Sequence, residues 1–327
     1  MKTKGTPDTR REFLLRIFRL SGISALSVGL GFWFRSRSAR PARKVEKGRV
    51  NRRPVPPDPE LPDMAVVRRG EPAELVTRAV QALGGMKRFV SPGDVVIIKP
   101  NLAWDRTPLQ AANTNPEVVA TLVRLCIQAG AAKVIVGDAS CNDARRTYQR
   151  SGVAAAAQRE GAEILYPEKR YFKRVDIGGS FLGIWPVFAP FMSADKLINV
   201  PIAKHHHLTK VTLGMKNFYG VIGGQRHRLH QRIHESIVDL TQFMVPTLTV
   251  IDAYRVLMRN GPTGGRLSDT ALKKLLIASI DPVAADAYAA EAIWNLRPGD
   301  LPFLLLGERR KLGKANYRER RVEEITI

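Results

Sequence analysis

The chain has 327 residues and a net charge of +22, and residues 1–53 alone hold 15 basic and 3 acidic side chains. Because the rest of the charge is dispersed and no recognisable nucleic-acid-binding motif accompanies it, we expect no nucleic-acid partner. The two cysteines, Cys126 and Cys141, are too few to ligate an iron–sulfur cluster or a structural zinc ion, so we expect neither.

The N-terminal segment, residues 1–35, has the pattern of a twin-arginine export signal. Arg10-Arg11 follow a polar residue, and an apolar stretch rich in glycine and serine then runs from Leu20 to Phe34. This stretch has 15 residues, which is short for a membrane span. The pattern predicts the twin-arginine translocase as a partner, and a protein that is periplasmic or lies on the outer side of the cytoplasmic membrane. It is compatible both with cleavage of the signal and with its retention as a membrane anchor.

Residues 36–63 are predicted to be a linker. Arginine and lysine dominate its first half, and five prolines follow between Pro54 and Pro62. Such a composition favours extended polyproline conformations and offers no periodic apolar stripe for burial. The folded domain is therefore expected to comprise residues 64–327 and to fold without residues 1–53.

Strands and helices alternate from residue 64 onward. Short apolar runs predict strands at Met64–Arg68, Val95–Lys99, Val134–Gly137, Glu163–Tyr166, Lys196–Val200, Leu248–Ile251 and Leu275–Ser279. The helical spacing of apolar residues, with caps at Asn115 and Asp281, predicts helices over Pro72–Met86, 116–129, Tyr148–Glu160, Leu229–Met244 and 282–294. Glycine and proline punctuate residues 170–192, which indicates a β-rich excursion. The alternation predicts the α/β fold class, with a mostly parallel sheet and helices on both of its faces.

Polar residues follow four of the predicted strands. Lys99 to Asn101 end one strand, Asp138 to Ser140 leave the next, and residues 201–207 and Asp252 follow two others. Ligands of open α/β sheets bind beyond the carboxyl ends of the strands. We therefore expect these residues to line one crevice.

The stretch from Asn199 to His234 contains all six histidines, together with three lysines, three arginines and four glycines. Converging ammonium groups suit a phosphate or a carboxylate, so an anionic small-molecule ligand is predicted. A desolvated lysine could instead act as a base or form an imine. The predicted ligand-binding residues are Lys99, Asn101, Ser140, Lys204, Asn217, Gly220 and Asp252. The predicted catalytic residues are His206, Lys216 and Asp138.

A divalent metal is the other ligand that the histidines allow. His227, His230 and His234 have spacings of three and four, which place them on one side of a helical turn, and His206 or a carboxylate such as Asp138 would complete a set. The arginines nearby favour an anion over a cation. The cofactor is therefore unknown, with a divalent metal as a candidate.

Several motifs occur in an order that resembles the domain-of-unknown-function family 362. They include Lys99-Pro-Asn101, Lys204-x-His206, Lys216-Asn217-x-x-Gly220 and Asp281-Pro-Val-Ala-x-Asp286, within roughly residues 64–300. The resemblance implies an α/β fold and no agreed activity. Many members of the family carry ferredoxin-type cysteine clusters, and this chain has none. The chain is also similar, more distantly, to the lactate-racemase type of nickel-pincer enzymes, which suggests only a class of ligand.

The sequence is thus interpreted as an exported α/β protein that binds an anionic small molecule, with a divalent metal as an optional component, and acts on it. In this interpretation the three lysines of the site hold the anion and His206 is an acid, a base or a ligand. Asp138 and Asp252 would orient cations or abstract protons. The alternative is a non-catalytic envelope protein that binds a ligand or delivers a cofactor. A basic adaptor on an anionic membrane is a third class.

Overall fold

The computed structural model of the protein describes residues 10, 11, 14, 15, 18, 45–48, 50, 52 and 54–327. The chain divides into two compact units, residues 1–44 and residues 45–327. The described residues of the first unit are helical and include the exposed Arg10 and Arg11. The apolar part of the predicted export signal, residues 20–34, lies outside the described residues. Within the described part of the chain, no helix is both long enough and apolar enough to cross a membrane.

The second unit alternates strands and helices. Its described strands are β1 (Glu46–Lys47), β2 (Met64–Arg68), β3 (Val95–Pro100), β4 (Lys133–Gly137), β5 (Glu163–Leu165), β6 (Phe172–Asp176), β7 (Ile184–Phe188), β8 (Lys196–Val200), β9 (Ile202–His206), β10 (Lys210–Thr212), β11 (Leu248–Leu257), β12 (Thr270–Ser279) and β13 (Val322–Thr326). Its described helices are α1 (Pro72–Ala82), α2 (Pro116–Gln128), α3 (Ala144–Arg150), α4 (Val153–Arg159), α5 (Pro190–Ser193), α6 (Gly214–Asn217), α7 (Ile233–Met244), α8 (Pro282–Trp294) and α9 (Pro302–Arg309).

The main sheet is mixed but mostly parallel. Its strand order is β13-β2-β12-β11-β8-β3-β4-β5, and β9 and β10 continue it beside β11. The strands from β11 to β5 in this order pair in parallel, as do β13 and β2. β12 is antiparallel to both of its neighbours, because the chain returns to it from β11 without a crossover helix. The predicted fold class is confirmed.

The interior strand β3 shows why its sequence is a continuous apolar run. Val96 and Ile98 pack into the core that contains α1 and α2. Ile97 faces the opposite core, where it joins residues such as Leu197 and Phe188. Burial on both faces removes the polar alternation of a surface strand. It also fixes the position of the carboxyl end of β3, where Lys99 lies.

A second, smaller sheet has the strand order β1-β6-β7. β6 and β7 pair antiparallel and correspond to the predicted β-rich excursion, whereas β1 pairs with β6 in parallel. Val175, Val187 and Phe188 of this sheet share a core with the main sheet. β7 also supports the loop after α6, because Val187 forms a bridge with Ile222.

Arg52 anchors the segment that precedes β2. Its side chain is 7% exposed, and its Nη1 donates to the carbonyl oxygens of Phe191 at 2.7 Å and Ala194 at 2.9 Å. Its Nη2 donates to the carbonyl oxygen of Met244 at 2.9 Å. Residues 36–63 are predicted from the sequence to be a linker, whereas residues 45–48, 50 and 52 belong to the folded unit in the structure. The physical reason is this set of three buried carbonyl acceptors, which a guanidinium satisfies with charge-assisted hydrogen bonds.

We expect the substitution Arg52→Ala to lower the free energy of unfolding by about 3 kcal/mol, because it leaves three buried carbonyl oxygens without a donor. The matched control is Arg174→Ala, which removes an exposed arginine from β6 of the smaller sheet. The control should change stability by less than about 0.5 kcal/mol. Chemical denaturation followed by circular dichroism measures both, and equal stabilities of the two variants would show that residues 45–52 are a linker after all.

Two predicted helices are divided in the structure. The predicted helix Tyr148–Glu160 is α3 followed by α4, and Gly152 between them has a φ of +74°. That left-handed conformation suits glycine and ends the first helix. The predicted helix Leu229–Met244 begins as a 3₁₀ helix, Arg226–Arg232, and becomes α7 at Ile233. The uninterrupted α-helical spacing assumed for the three histidines of this region therefore does not hold.

Candidate functional site

The carboxyl ends of β4, β3 and β8 lie side by side, because β3 pairs in parallel with both neighbours. Lys99 of β3 stands in register with Asn199 of β8. Asp138 follows the end of β4 directly, and Pro201 leads from β8 into β9, which carries Lys204. The structure thus brings residues from three separate segments to one edge of the sheet, where the sequence predicts a crevice.

Lys99 and Asp138 form a buried ion pair at this edge. The Nζ of Lys99 lies 2.7 Å from Oδ1 of Asp138 and donates also to the carbonyl oxygen of Pro100 at 3.0 Å. Oδ2 of Asp138 accepts from the amide of Leu102 at 2.7 Å. Burial lowers the pKa of Lys99, and the carboxylate of Asp138 opposes that shift. The arrangement makes Asp138 the counter-ion of Lys99, and proton abstraction by Asp138 has no support in this geometry.

Gly220 touches this pair closely enough to exclude any side chain. A Cβ atom at position 220 would overlap Oδ1 of Asp138 and would lie 2.8 Å from the Nζ of Lys99. The carbonyl oxygen of Gly220 accepts from the amide of Ala139 at 2.8 Å. The structure therefore gives Gly220, a predicted ligand-binding residue, a place in the packing around the ion pair.

Three asparagines connect the strand ends with the short helix α6. Nδ2 of Asn101 donates to Oδ1 of Asn217 at 2.9 Å, and Nδ2 of Asn217 donates to Oδ1 of Asn199 at 2.9 Å. Nδ2 of Asn199 donates in turn to the carbonyl oxygen of Gly214 at 2.8 Å. An amide side chain both donates and accepts, so the three form a satisfied buried network. This network fixes α6, and with it Lys216, against the strand ends.

Lys204 is 1% exposed, and its acceptors among the described residues are all neutral. Its Nζ donates to Oδ1 of Asn101 at 2.9 Å and to the carbonyl oxygen of Ala112 at 2.6 Å. Burial lowers the pKa of this amine to about 7; the nearby Cys141 thiol opposes the shift and the charge of Lys216 adds to it. The protonation state of Lys204 at neutral pH therefore depends on the charges of the neighbouring groups.

Lys216 is 8% exposed and lies on α6. Within the described residues its Nζ has no hydrogen-bond acceptor and no ion-pair partner, and it lies 4.8 Å from the centroid of the Tyr219 ring. Such a position favours a cation through the electron-rich face of the ring. Burial nevertheless lowers the pKa of Lys216 to about 8.

His206, which is 6% exposed, is held as a neutral imidazole. Its Nδ1 accepts from the amides of Leu208 at 3.2 Å and Thr209 at 3.4 Å, so the proton lies on Nε2. Burial, reinforced by the charge of Lys216, lowers the pKa of His206 to about 2. The side chain is therefore a hydrogen-bond donor at neutral pH. Its predicted roles as an acid, a base or a metal ligand stay predictions without support from this geometry.

Arg226 and Cys141 lie at the rim of the cluster. The guanidinium of Arg226 donates to the carbonyl oxygens of Ala139 at 2.6 Å and Ser140 at 2.7 Å, and its Nη2 lies 3.7 Å from the Sγ of Cys141. Cys141 is exposed, and its negative form raises the pKa of Lys204. Neither residue belongs to the predicted site, although Arg226 lies in the histidine-rich stretch and Cys141 follows Ser140 directly.

Two predicted ligand-binding residues have other partners. Oγ of Ser140 donates to the carbonyl oxygen of Leu102 at 2.5 Å. The carboxylate of Asp252 accepts from the amides of Asn115 at 2.7 Å and Tyr254 at 3.0 Å, and burial raises its pKa to about 6. Within the described residues neither side chain contacts the lysines. Asp252 fixes the start of α2, whose N-cap is Asn115.

The four histidines predicted as metal ligands do not form one set. The rings of His206 and His230 are 6.4 Å apart between centroids, whereas His234 stacks on Phe303 at 6.2 Å. Among residues 54–327 and the other described positions, no group of three or more His, Cys, Asp or Glu side chains could hold a metal ion. The metal stays a prediction that this geometry does not support.

Two buried residues outside the predicted site hold it in place. The carboxylate of Asp286 accepts from the amides of Gly214 at 2.6 Å and Met215 at 2.9 Å, which fixes the start of α6. The hydroxyl of Tyr148 donates to the carbonyl oxygen of Asp138 at 2.7 Å. Asp286 lies in one of the motifs that carry the family resemblance, and that motif could have identified it from the sequence. Nothing in the sequence around Tyr148 distinguishes it from an ordinary core residue.

Comparisons with known families and relatives identify a family of unknown function. The family model described as "Domain of unknown function (DUF362)" matches residues 96–291. A thylakoid-associated protein of Synechocystis sp. is 31% identical over 239 residues, which are 70% of this chain and 72% of the relative. The match therefore includes the ends of β3, β4 and β8 and all of α6.

Two solved structures show a limited likeness. The lactate racemase apoprotein from Thermoanaerobacterium thermosaccharolyticum has a TM-score of 0.38 and 13% identity over 62% of this chain. A protein from Thermotoga maritima has a TM-score of 0.39 and 14% identity over 69% of this chain. The alignments span 52% and 59% of those two chains, respectively.

Proposed function

This chain belongs to the family described as Domain of unknown function (DUF362), and we propose that it binds a small anion at its cluster of buried lysines. One observation carries the proposal. Lys204 and Lys216 are both more than nine-tenths buried, and within the described residues neither has a carboxylate partner. Lys99, which lies beside them, does have one in Asp138.

The lack of a carboxylate partner for these two lysines among the described residues has an energetic cost. A buried ammonium without an opposite charge costs several kcal/mol, and a protein relieves that cost either by losing the proton or by binding an anion. Burial lowers the pKa of Lys204, and the charge of Lys216 adds to this shift. An anion between them would remove this repulsion and restore both protons, so binding and protonation reinforce each other.

The remaining donors limit the class of anion. Nε2–H of His206 has no acceptor within the described residues, and it supplies a neutral hydrogen bond. Two ammonium groups and one imidazole N–H suit a compact oxyanion such as a carboxylate or a phosphate. The guanidinium of Arg226 is already bonded to two carbonyl oxygens and lies at the rim. We therefore propose a small oxyanion, held by Lys204, Lys216 and His206.

Calorimetric titration of the purified protein with phosphate, oxalate and glycolate is the direct experiment. Because a protonated lysine binds the anion and Lys216 has a pKa of about 8, the affinity should be highest at or below about pH 7. We expect it to fall about ten- to hundredfold between about pH 7 and pH 9. Binding near pH 8 should take up protons, which is measured by repeating the titration in buffers with different ionisation enthalpies.

Three outcomes of that experiment have distinct meanings. Tighter binding at higher pH, or binding that is unchanged when Lys216 is removed, would contradict the lysine site. Metal analysis of the same protein tests the divalent-metal alternative, since an anion that binds only with a stoichiometric metal ion would move the site to the histidines. Saturable binding without turnover would favour the non-catalytic envelope protein over an enzyme.

The location is a second part of the proposal. Arg10-Arg11 and the apolar stretch behind them support export by the twin-arginine route. The relative from Synechocystis is named as thylakoid-associated, and we extend a membrane association to this chain through its N-terminal segment. The site would then act in the periplasm or on the outer side of the cytoplasmic membrane.

Replacement of Arg10 and Arg11 by lysine should retain the protein on the cytoplasmic side of the membrane. The reason is that the twin-arginine translocase reads the arginine pair as an address. Cell fractionation with protease protection measures the distribution, and replacement of the exposed Arg145 and Arg146 by lysine is the control. Export that continues unchanged in the signal variant would argue for another route.

A further inference from the structure

Three buried lysines lie at the same edge of the sheet, but their Nζ atoms have different surroundings. Lys99 has a carboxylate and a carbonyl oxygen as acceptors, and Lys204 has an amide oxygen and a carbonyl oxygen. Lys216 has no acceptor within the described residues, and its Nζ lies 4.8 Å from the centroid of the Tyr219 ring. A lysine with a structural role needs acceptors for its protons, so Lys216 lacks what such a role requires.

An amine in this position is a nucleophile. Burial favours the neutral form of Lys216, which carries the free electron pair. Lys204 lies close enough to Lys216 for the charge of Lys216 to lower the pKa of Lys204. The same Lys204 would hold the negative end of a bound anion. A ligand that carries a carboxylate at one end and an electrophilic carbon beside it would therefore place that carbon near Lys216.

Resting on the proposed anion site, we propose that Lys216 forms an imine with the carbonyl group of a small oxo acid. The electron pair of Nζ attacks the carbonyl carbon, and the carbonyl oxygen takes up the proton that the nitrogen loses. The C–O bond then breaks, one further proton from the Lys204 ammonium accompanies the oxygen, and water leaves. The electron pair on nitrogen closes the C=N bond, which gives a protonated imine, and solvent returns the proton to Lys204.

The surroundings of Lys216 suit each stage of this reaction. Nε2–H of His206 can donate to the carbonyl oxygen while negative charge develops there. The protonated imine carries its positive charge at the position of the lysine nitrogen, 4.8 Å from the centre of the Tyr219 ring, so the ring face stabilises the product as it would the ammonium. Asp286 acts as a positioning residue, because it holds the start of α6 by two amide hydrogen bonds.

Reductive trapping of the full-length protein tests this inference. The protein is incubated with glyoxylate and cyanoborohydride at about pH 7, and the carboxymethylated lysines are located by peptide mass spectrometry. Lys210, four residues after His206, is the internal reference because it is exposed and paired with Asp300. We expect Lys216 to react about ten- to hundredfold faster than Lys210, since a larger fraction of its amine is neutral. Excess oxalate, which cannot form an imine under these conditions, should protect Lys216 and leave the labelling of Lys210 unchanged.

The variant Lys216→Arg cannot form an imine, so it should lose the fast adduct at this position. If this variant does not fold, the peptide map of the wild-type protein still decides. Labelling without preference for Lys216, in a protein that binds oxalate, would overturn the imine and leave the anion site in place. Labelling without preference in a protein that does not bind oxalate would overturn both proposals.

Discussion

Replacement of Asp138 by alanine is expected to lower the free energy of unfolding by about 3–5 kcal/mol, because it leaves the ammonium of Lys99 buried without its counter-ion. Lys99 is fully buried, and its Nζ lies 2.7 Å from Oδ1 of Asp138. The substitution also removes the acceptor for the amide of Leu102. Urea denaturation of the two proteins at neutral pH measures the loss.

The matched control for that experiment is Asp143→Ala. Asp143 caps α3 by accepting from the amide of Arg146 at 2.9 Å, and in the part of the chain that the structure describes it has no buried cation as a partner. Loss of such a cap costs about 1 kcal/mol. The double variant Lys99→Met with Asp138→Leu should be more stable than Asp138→Ala, since it removes both charges together. A double variant that is less stable than the single one would show that Lys99 is not held as a charged partner of Asp138.

Replacement of Lys216 by methionine is expected to have the opposite pattern: a large loss of affinity with little or no loss of stability. One charge-assisted hydrogen bond to an anion contributes about 1.5–3 kcal/mol, so the dissociation constant should rise about ten- to hundredfold. No stability should be lost because Nζ of Lys216 has no hydrogen-bond partner among the described residues that the substitution would orphan. Calorimetric titration and denaturation of the same preparation measure the two effects.

The effect of Lys216 on the free energy of unfolding should depend on pH in a defined direction. The pKa of Lys216 is lowered from 10.5 to about 8 in the folded protein, so between these values the unfolded chain binds more protons than the folded one. Wild-type stability should therefore gain from Lys216 as the pH rises through this window. The methionine variant should exceed the wild type at about pH 6, by up to about 3 kcal/mol, and lose that advantage towards about pH 10. The control Lys210→Met, at an exposed ion pair, should show neither effect.

The strands that could be predicted are those whose burial is complete on both faces. β3 is an example, because a run such as Val95 to Ile98 has one interpretation in a sheet covered by helices. Strands β9 and β10 were not predicted from the sequence. β9 carries Lys204, His205 and His206, and polar residues in a strand show neither an apolar run nor an alternation. Their burial comes from loops that are distant in sequence, such as the one that contributes the carbonyl oxygen of Ala112.

The meeting of polar residues at one edge of the sheet was predictable from the sequence, but their individual contacts were not. Polar residues after consecutive strands indicate the edge at which Lys99, Asp138 and Lys204 meet. The presence of a counter-ion beside a lysine depends on tertiary distances of a few ångströms. The residues directly next to Lys216 and those directly next to Lys99 are alike in containing no acid, so the sequence does not distinguish the two lysines. Arg52 illustrates the same limit. An arginine in a proline-rich stretch indicates a linker, and its three acceptors lie more than a hundred residues away.

The way the chain leaves the folded unit has a mechanical consequence. A force applied to the backbone at Val45 would act first on the pairing of β1 with β6. It would then act on the hydrogen bonds between the guanidinium of Arg52 and its carbonyl acceptors. The same small sheet supports the loop after α6, through the bridge between Val187 and Ile222 and the hydrogen bond from the amide of Gly223 to the carbonyl oxygen of Pro186. Tension on the N-terminal segment would therefore pass from β1 through β6 to β7, the strand that supports the loop after α6, with Arg52 as a second anchor.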